Sequence, residues 1–456
     1  MLNGWAARLA RIAIFASLLV TPACCLQAIS GNDFNDGGDA GLDAGGDAGA
    51  RDSGIDAGID AGVDAGFDAG SDGGDAGAPD AGGVCGPAAD LTTYTSSVPV
   101  YFSRFAYSAD MNGDGLLDLI MASFKPYGSP SDPDNTPFFV ALGQPGGGLG
   151  PAQPYALGGG SSLAVGDLNG DGLPDVVAGG EDPAHFDTDA GSYVNVYLND
   201  GDGGLIFNHS YAASGSPVAI GDVDGDGLAD IVLGGLGSSE ILYGTVGGHF
   251  TNPSNLPEVV IDFMGFMAVA DLNGDGRADI VGDDLHGQHL VVLLSQGRDD
   301  FKVTTYPTPA IGQILVIPGP SGAPDLVLGE AGYADALDDV YSSGGVAVMT
   351  NAGDGTFAAP RVYTVPGGLA LAIGDFNGDC IPDIATTGSS GCESGWPIAV
   401  LFGDGDGGYV GPELISAADP GPVALSLLGP VDHPQALATT DYCDAGVTIY
   451  GDSSRY

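Results

Sequence analysis

From residue 90 onwards, short apolar runs alternate with segments rich in Gly and Asp. The run Leu163–Gly166 ends at such a segment, which is followed by a second apolar run at Val176–Ala178. An alternating run, Val196–Leu198, then leads into a Gly-Asp turn and the aromatic residue Phe207. Short apolar runs joined by Asp-Gly or Gly-Gly turns predict β-strands and hairpins. Each unit therefore reads as four antiparallel strands, which we name A to D in chain order. The aromatic after strand C recurs in other units as Phe250, Phe357 and Tyr409.

A nine-residue acidic loop recurs between strands A and B. Its copies begin at Asp110, Asp167, Asp222, Asp271 and Asp375. Successive starts are 57, 55, 49 and 104 residues apart, so the last spacing equals two units of 52. Degenerate copies with the same apolar lead-in lie at Leu315–Asp325 and Leu427–His433. The sequence therefore predicts seven units, five intact and two degenerate.

Seven repeats of four short strands predict an all-β fold, a seven-bladed β-propeller spanning residues 89–456. The last unit has a strand C at Val447–Tyr450, but the chain ends six residues later, without room for strand D. The segment Leu91–Thr95 resembles the strand D segment Val303–Tyr306. We expect an N-terminal strand, residues 91–97, to complete the seventh blade and remove an exposed edge.

The acidic loops offer oxygen ligands in a fixed pattern. Positions 1, 5 and 9 are Asp, position 3 is Asn or Asp, and position 7 offers its backbone carbonyl. Gly at positions 4 and 6 permits the positive φ of a tight wrap. Oxygen ligands suit Ca²⁺ better than Zn²⁺ or copper, and a simple turn would not require Asp at position 9. We predict up to five Ca²⁺, with the candidate ligands Asp110, Asn112, Asp114, Leu116, Asp118, Asp167, Asn169, Asp171, Leu173, Asp175, Asp222, Asp224, Asp226, Leu228, Asp230, Asp271, Asn273, Asp275, Arg277, Asp279, Asp375, Asn377, Asp379, Ile381 and Asp383.

These loops, set in a seven-unit strand repeat, resemble the FG-GAP/VCBS repeats of the integrin α-subunit propeller. The resemblance covers residues 90–456 and implies Ca²⁺ in each intact A–B hairpin, on one face of the ring. One departure is Cys380, which replaces Gly at position 6 of the last intact loop. The two degenerate units should bind no metal. The acidic pairs Asp200–Asp202 and Asp404–Asp406 lie in C–D turns and are interpreted as turns rather than ligands.

The N-terminal residues 1–23 have the pattern of an export signal. Two arginines precede the apolar run Ile12–Val20, which is shorter than the roughly 20 residues that cross a bilayer. The segment Thr21–Ala23 before Cys24 resembles a bacterial lipobox, although Thr21 stands where Leu is usual. We expect lipidation of Cys24, with plain signal cleavage as the alternative. The protein would then be an outer-surface lipoprotein or secreted.

Residues 24–88 form a low-complexity linker of Asp-Ala-Gly tetrads. Residues 31–83 contain thirteen Asp and one Arg and almost no large apolar side chains. Such a segment cannot bury enough surface to offset its ordering entropy, so we expect disorder. It would act as a spacer that lifts the propeller off a membrane, or it is a tolerated repeat expansion.

The net charge of −50, from 60 acidic and 10 basic residues, excludes nucleic acid and anionic membrane surfaces as partners. Any membrane association would run through the lipid alone. Four cysteines besides Cys24 and Cys25 predict two disulfides in an exported protein. We favour Cys392–Cys443 first and Cys85–Cys380 second. Alternatively, Cys85 is free or pairs with another chain.

The B–C connections lie on the face opposite the acidic loops and vary in length, which is typical of a binding face. Their carboxylates would suit acid–base work on a glycan or form a solvated acidic rim. The spacing of His286 and His289 suits a metal only on a helix. No common catalytic motif is present. The candidate residues are Glu181, Asp182, His185, Asp187, Asp189, Asp283, Asp284, His286, His289, Glu330, Tyr333, Asp335, Asp338, Asp339, Glu393 and Trp396.

The sequence therefore favours a monomeric, non-enzymatic, calcium-stabilised surface propeller that binds an extracellular protein or polysaccharide. The alternatives are a lectin with sugar sites on the ring and a propeller-type polysaccharide lyase or hydrolase. The scarcity of Trp weakens the lectin hypothesis, because sugar sites usually use an aromatic platform in each blade. The sequence does not identify the ligand.

Overall fold

The computed structural model forms seven antiparallel blades. Five are separate four-stranded sheets, and the first and seventh are joined into one eight-stranded sheet where Leu116 and Leu117 pair with Pro430 and Gly429. The structure describes residues 93–96, 103–123, 137–145, 148–156, 163–180, 193–213, 216–234, 239–256, 267–284, 289–308, 311–330, 344–368, 370–387, 397–415, 422–430, 436–441 and 447–450. Within these ranges, no helix has the length and hydrophobicity needed to span a membrane.

Each blade has four strands, ordered A to D across the sheet. The A strands are Ser103–Ala109, Leu163–Gly166, Ser216–Gly221, Met267–Ala270, Ile311–Pro318, Ala370–Gly374 and Pro422–Pro430. The B strands are Leu116–Ser123, Asp175–Gly180, Asp230–Gly234, Asp279–Asp283, Pro324–Glu330, Asp383–Thr387 and Ala436–Asp441. The C strands are Pro137–Ala141, Tyr193–Asn199, Glu240–Leu242, His289–Gly297, Gly345–Met349, Ile398–Gly403 and Val447–Tyr450. The D strands are Gln153–Ala156, Leu205–Ala212, Ser254–Asn255, Asp300–Pro307, Arg361–Thr364, Tyr409–Ile415 and, for the seventh blade, Thr93–Ser96. Two-stranded extensions in the first and third blades pair Gly143–Gln144 with Gly148–Leu149, and Gly244–Thr245 with His249–Phe250.

The ring is closed by the N-terminal strand. Thr93–Ser96 pairs antiparallel with Val447–Tyr450, with Thr93 opposite Tyr450. This strand is therefore strand D of the seventh blade. Each A strand also contacts the A strands of both neighbouring blades, all the way round the molecule. The fold is the all-β, seven-bladed propeller that the repeats predict.

The inner strands are apolar on both faces because each sheet packs between two neighbouring blades. Every residue of Leu163–Gly166 and of Asp383–Thr387 is buried. Asp300–Pro307, an outer strand D, instead alternates between exposed and half-buried residues. The continuous apolar runs in the sequence therefore belong to strands A and B, and the alternating runs to the outer part of each blade.

Several predicted features lie outside the described residues. They are the export signal, the lipidation site Cys24, the linker at 24–88, the cysteines Cys85, Cys392 and Cys443, and these residues of the B–C connections: Glu181, Asp182, His185, Asp187, Asp189, His286, Tyr333, Asp335, Asp338, Asp339, Glu393 and Trp396.

Candidate metal centres

Each intact acidic loop wraps around its position-1 aspartate. The backbone N–H of the residue at position 6 donates to the Oδ2 atom of that carboxylate, at 2.8 Å from Gly115 to Asp110. The bond recurs from Gly172, Gly227, Gly276 and Cys380 in the other four loops, at 2.7 to 3.0 Å. The position-6 residue has a positive φ in all five loops, from 63° at Cys380 to 89° at Gly172. The predicted wrap is therefore present, and the carboxylate lies inside it.

The side chains at positions 3 and 5 face each other across the mouth of each loop. In the first, second and sixth blades, the position-3 Asn Nδ2 donates to the position-5 Asp Oδ2 at 2.8 to 3.1 Å. In the third blade, position 3 is Asp224 instead of Asn. There, carboxylate oxygens of Asp222, Asp224 and Asp226 lie within 4.8 Å of one another. Three like-charged groups so close together are the donor set that a hard divalent cation needs.

The position-9 aspartate is buried and fastens the loop to the rest of the blade. In the first blade, Asp118 Oδ2 accepts from Met111 N at 2.7 Å, and Asp118 Oδ1 accepts from Gly143 N at 2.7 Å. The four other intact loops repeat both bonds, with the second from the end of strand C at Asn199, Gly244, Ser295 and Gly403.

The degenerate fifth unit shows why Asp recurs at position 9. It lacks the other acidic positions, yet Asp325 Oδ1 still accepts from Asn351 N at 2.7 Å. The recurrence of Asp at position 9 therefore has a hydrogen-bonding reason that is independent of metal. Each carboxylate oxygen has two lone pairs, so these bonds leave position 9 able to contact a cation as well.

Without a cation, the buried carboxylates make these loops electrostatically unfavourable. It raises the pKa of Asp118, Asp175, Asp230 and Asp279 to about 7, and that of Asp383 to about 6. Hydrogen bonds from backbone N–H groups lower each pKa, and repulsion from the neighbouring loop carboxylates raises it. Burial also raises the pKa of Asp222 and Asp224. A divalent cation would supply the missing counter-charge, so the oxygen donors fit Ca²⁺.

Comparison with known proteins agrees with this geometry. Residues 107–178 and 222–282 match the FG-GAP-like repeat. The chain therefore contains FG-GAP-like repeats. It is 34% identical to human integrin alpha-7 over 162 residues, which are 31% of this chain and 13% of the integrin's length.

Two of the solved structures to which this chain is similar match it at low identity and with TM-scores below 0.5. One is an Agrocybe aegerita lectin, described for recognition of non-reducing terminal N-acetylglucosamine, with 19% identity and a TM-score of 0.44 over 71% of this chain and 82% of the lectin. Another is a putative 6-phosphogluconolactonase from Bacteroides uniformis, with 12% identity and a TM-score of 0.49 over 74% of this chain and 92% of that protein. Likeness at this level says nothing about function.

Three of the acidic loops, in the first, third and fourth blades, are also hydrogen-bonded to the next blade. The carbonyl of position 2 accepts a hydrogen bond from a polar side chain at the end of the next blade's strand C. The donors are Asn199 to Met111 O at 2.8 Å, Ser295 to Val223 O at 2.6 Å, and Asn351 to Leu272 O at 2.8 Å. The position-2 peptide therefore lies between its own position-9 aspartate and the neighbouring blade. The sequence shows Asn or Ser at these positions, but their partners are 72 to 88 residues away.

Two arginines lie beside the third and fourth loops. The Arg298 guanidinium is 3.7 Å from Asp224 Oδ2 and packs 4.1 Å above the Tyr243 ring. The Arg277 guanidinium donates to Asp275 Oδ2 at 2.6 Å, within its own loop. The sequence predicted that Arg277 contributes only its backbone carbonyl as a metal ligand. The bond from its side chain to Asp275 was not predicted. Both arginines offset part of the local negative charge.

Cys380 follows the same backbone path as the glycines that it replaces. Its φ of 63° is unusual for a residue with a side chain, and its N–H donates to Asp375 Oδ2 at 2.8 Å. Cys380 is disulfide-bonded. All other cysteines of the chain lie outside the described residues.

Hydrogen bonds within the two acidic C–D segments fold each of them into a turn. Asp200 Oδ1 accepts from the N–H groups of Asp202 and Gly204, both at 3.0 Å. Asp404 Oδ1 accepts equivalent bonds from Asp406 and Gly408, at 3.0 and 2.8 Å. An aspartate that binds backbone two and four residues ahead of it caps a turn, as predicted.

On the B–C face, the structure brings two of the candidate residues together. Asp284 Oδ2 lies 2.7 Å from His289 Nδ1, at the entrance to strand C of the fourth blade. Asp283 is buried beside Asp284, at the end of strand B. Glu330 ends strand B of the fifth blade, and burial raises the pKa of its carboxyl.

Proposed function

We propose that the five intact loops bind Ca²⁺ and that the bound ions hold neighbouring blades together. The observation that carries the proposal is the convergence of Asp222, Asp224 and Asp226 within 4.8 Å, in a protein whose repeats match the FG-GAP-like family. The four other intact loops keep the same backbone wrap around position 1. The degenerate fifth and seventh units would bind none.

The coupling of metal to fold follows from the position-2 peptide. Without a cation, carboxylate repulsion would favour opening of the loop. Opening would break the bond from Met111 N to Asp118 and weaken the bond from Asn199 to Met111 O, which joins the first two blades. A bound Ca²⁺ would neutralise the loop and retain both bonds. Five ions would change the net charge from −50 to about −40.

The test is a thermal melt of the full chain in 2 mM Ca²⁺ and in excess EDTA. Extracellular calcium modules bind with a Kd of about 10⁻⁴ to 10⁻³ M, which gives about 0.6 to 1.8 kcal/mol per site at that concentration. We therefore expect a large rise in Tm with Ca²⁺. Equal melts in both buffers would mean that the loops are turns only, and the FG-GAP fold would stand without the ion.

A double variant tests how much of the Ca²⁺ response comes from the third loop. Replacing Asp224 and Asp226 together by Asn should remove the part of the Ca²⁺ response that comes from the third blade, because Asn is a neutral and weaker ligand. The matched control is Asp202→Asn, which removes a carboxylate from a C–D turn. If the control lost as much of the response as the double variant, general charge screening would explain it.

We further propose that the propeller is exported and binds a protein or polysaccharide without catalysing a reaction. The export-type N-terminus, the acidic linker and the exclusion of nucleic acid support this proposal. Cys24 would carry the lipid, so Cys24→Ala should move the protein from the membrane fraction to the medium. Unchanged fractionation would contradict the lipid anchor.

A lectin and a polysaccharide lyase or hydrolase are the alternatives. The paired Asp284 and His289, 2.7 Å apart, are the described groups best placed for acid–base work. A glycan array with no hits would remove the lectin. Polysaccharide turnover that survives Asp284→Asn would remove the pair from consideration.

We also propose a partner for the disulfide bond of Cys380. Cys380 lies on the face of the acidic loops, and strand D of the seventh blade starts at that face, because Thr93 pairs with Tyr450 at the end of strand C. Cys85 precedes this strand by eight residues, whereas Cys392 and Cys443 follow B strands that run to the opposite face. We therefore keep Cys85–Cys380 and Cys392–Cys443 as the proposed pairs. Non-reducing peptide mapping would identify them.

A further inference from the structure

We propose that His209 and His249 form a binding site for a transition-metal ion such as Zn²⁺, between the second and third blades. Both side chains are exposed, and their ring centroids are 6.4 Å apart with the ring planes at 81°. His209 lies on strand D of the second blade. His249 lies on the two-stranded extension of the third blade. Neither histidine belongs to an acidic loop.

Hydrogen bonds on both sides of the pair fix the two histidines relative to each other. Asn208 Nδ2 donates to Gly248 O at 2.9 Å, one residue before each histidine. Phe250 N donates to the Tyr211 hydroxyl at 3.0 Å, just after them. The Tyr211 ring packs edge-on against both His209, at 4.7 Å, and Phe250, at 5.7 Å. The blades therefore cannot slide past each other without breaking these contacts.

The spacing of the rings suits a shared ion. With metal–nitrogen bonds of about 2.0 to 2.1 Å, two imidazoles on one ion have ring centroids about 5 to 6 Å apart. The observed 6.4 Å is slightly longer than this range, and both side chains are exposed and free to rotate toward a shared ion. Imidazole suits Zn²⁺, Cu²⁺ and Ni²⁺, whereas Ca²⁺ prefers oxygen. Water would complete the coordination, so the site would be open and weaker than a four-ligand structural centre.

An ion at this site would connect two blades from the outside. His209 and His249 come from different blades, so an ion bound to both stabilises the folded state and is lost on unfolding. The large negative charge of the protein would also concentrate divalent cations near its surface.

The test is a Zn²⁺ titration of the full chain with Ca²⁺ in saturating excess, so that the acidic loops are already filled. We expect Zn²⁺ to raise the Tm of the wild type. His209→Ala and His249→Ala should each weaken Zn²⁺ affinity at least tenfold by calorimetry and abolish the rise in Tm. The control Val246→Ala changes an exposed side chain of the same two-stranded extension without removing an imidazole, and it should keep the response.

Cu²⁺ provides a second measurement that does not depend on stability. The paramagnetic resonance spectrum of a one-to-one complex should show coupling to two imidazole nitrogens in the wild type, and to one in either single variant. The proposal fails if the wild type shows no two-nitrogen species, or if both single variants keep the wild-type Zn²⁺ affinity.

Discussion

At the scale of single residues, the position-9 aspartate has two separable roles. In the intact units it lies beside possible cation ligands, and it also accepts backbone N–H groups from two parts of the blade. Asp325 isolates the second role, because its unit lacks the other acidic positions. Its bond with Asn351 N closes the end of strand C in a buried position. An unpartnered buried N–H costs about 1 to 3 kcal/mol.

Asp325→Ala should therefore destabilise the protein by about 1 to 3 kcal/mol, and equally with Ca²⁺ or EDTA, because no metal is expected in this unit. Asp325→Asn keeps an oxygen acceptor and should retain most of the stability. Urea denaturation in both buffers measures the two variants. A loss in Asp325→Ala that appears only with Ca²⁺ would show that the fifth unit binds metal.

The same residue predicts a pH dependence. Burial raises the pKa of Asp325 above its ordinary value, so the protonated form is favoured in the folded state. The resulting penalty is absent at pH below the unfolded pKa of about 4 and grows as pH rises through the folded pKa. Asp325→Asn carries no such penalty. The free energy of unfolding of Asp325→Asn should therefore rise relative to that of the wild type as pH increases above about 4. Urea denaturation at several pH values measures the difference, and a difference that stays constant would contradict the prediction.

Arg298 offers a prediction about metal affinity. Its guanidinium, 3.7 Å from Asp224 Oδ2, partly neutralises the third loop and competes with a cation. The arginine is exposed and the contact is long, so the pair is worth up to about 1 kcal/mol, and Arg298→Gln should tighten Ca²⁺ binding at this loop by about two- to fivefold. Calcium titration would measure it, with Arg361→Gln as the control, since Arg361 packs on Tyr363. Weaker binding in Arg298→Gln would mean that the arginine holds the loop in shape.

At the scale of strands and blades, four tyrosines each connect one blade to the next. Each hydroxyl accepts from a backbone N–H that follows the C–D turn of the next blade, at 3.0 to 3.1 Å. The pairs are Tyr155 with Leu205, Tyr211 with Phe250, Tyr306 with Phe357, and Tyr363 with Tyr409. In the last three, the two rings also pack edge-on at 5.7 to 6.0 Å.

The contact between these tyrosines and the next blade could be predicted from the sequence only in part. The recurring aromatic after strand C marked the hairpins correctly, and Leu163–Gly166 and Val447–Tyr450 are strands with the expected bounds, because alternation and turn chemistry are local signals. The role of the aromatic could not be predicted, because Tyr306 lies 51 residues from Phe357 in the chain. The same holds for Asn351 and Leu272, which are 79 residues apart, whereas the acidic loops themselves could be located from their spacing.

Tyr306→Phe should therefore lower the free energy of unfolding by about 1 to 3 kcal/mol, because it keeps the ring contact but leaves Phe357 N without its acceptor. Chemical denaturation measures the loss. Tyr193→Phe is a suitable control, since Tyr193 lies on strand C and its hydroxyl makes no hydrogen bond within the described ranges. Equal losses in the two variants would argue against a specific interblade bond.

At the scale of the whole molecule, closure of the ring depends on four residue pairs. Thr93 to Ser96 pair with Tyr450 to Val447, and this strand is the part of the seventh blade that comes from the other end of the chain. The blade could be predicted because the last repeat is one strand short and a matching segment opens the folded region. The strand also places the start of the folded ring directly after the linker.

Removal of the closing strand should therefore affect the entire ring. Deleting residues 89–97 exposes strand C of the seventh blade as an edge and removes the covalent link between the two ends of the ring. Unfolding should become less cooperative, with a shallower urea transition and a lower Tm. Adding a peptide of residues 89–97 should restore part of the lost stability, because its backbone would supply the missing ladder. A deletion of four linker tetrads, residues 56–71, is the control and should leave the melt unchanged. If the protein lacking residues 89–97 melted like the wild type, the first and seventh blades would hold the ring closed without this strand.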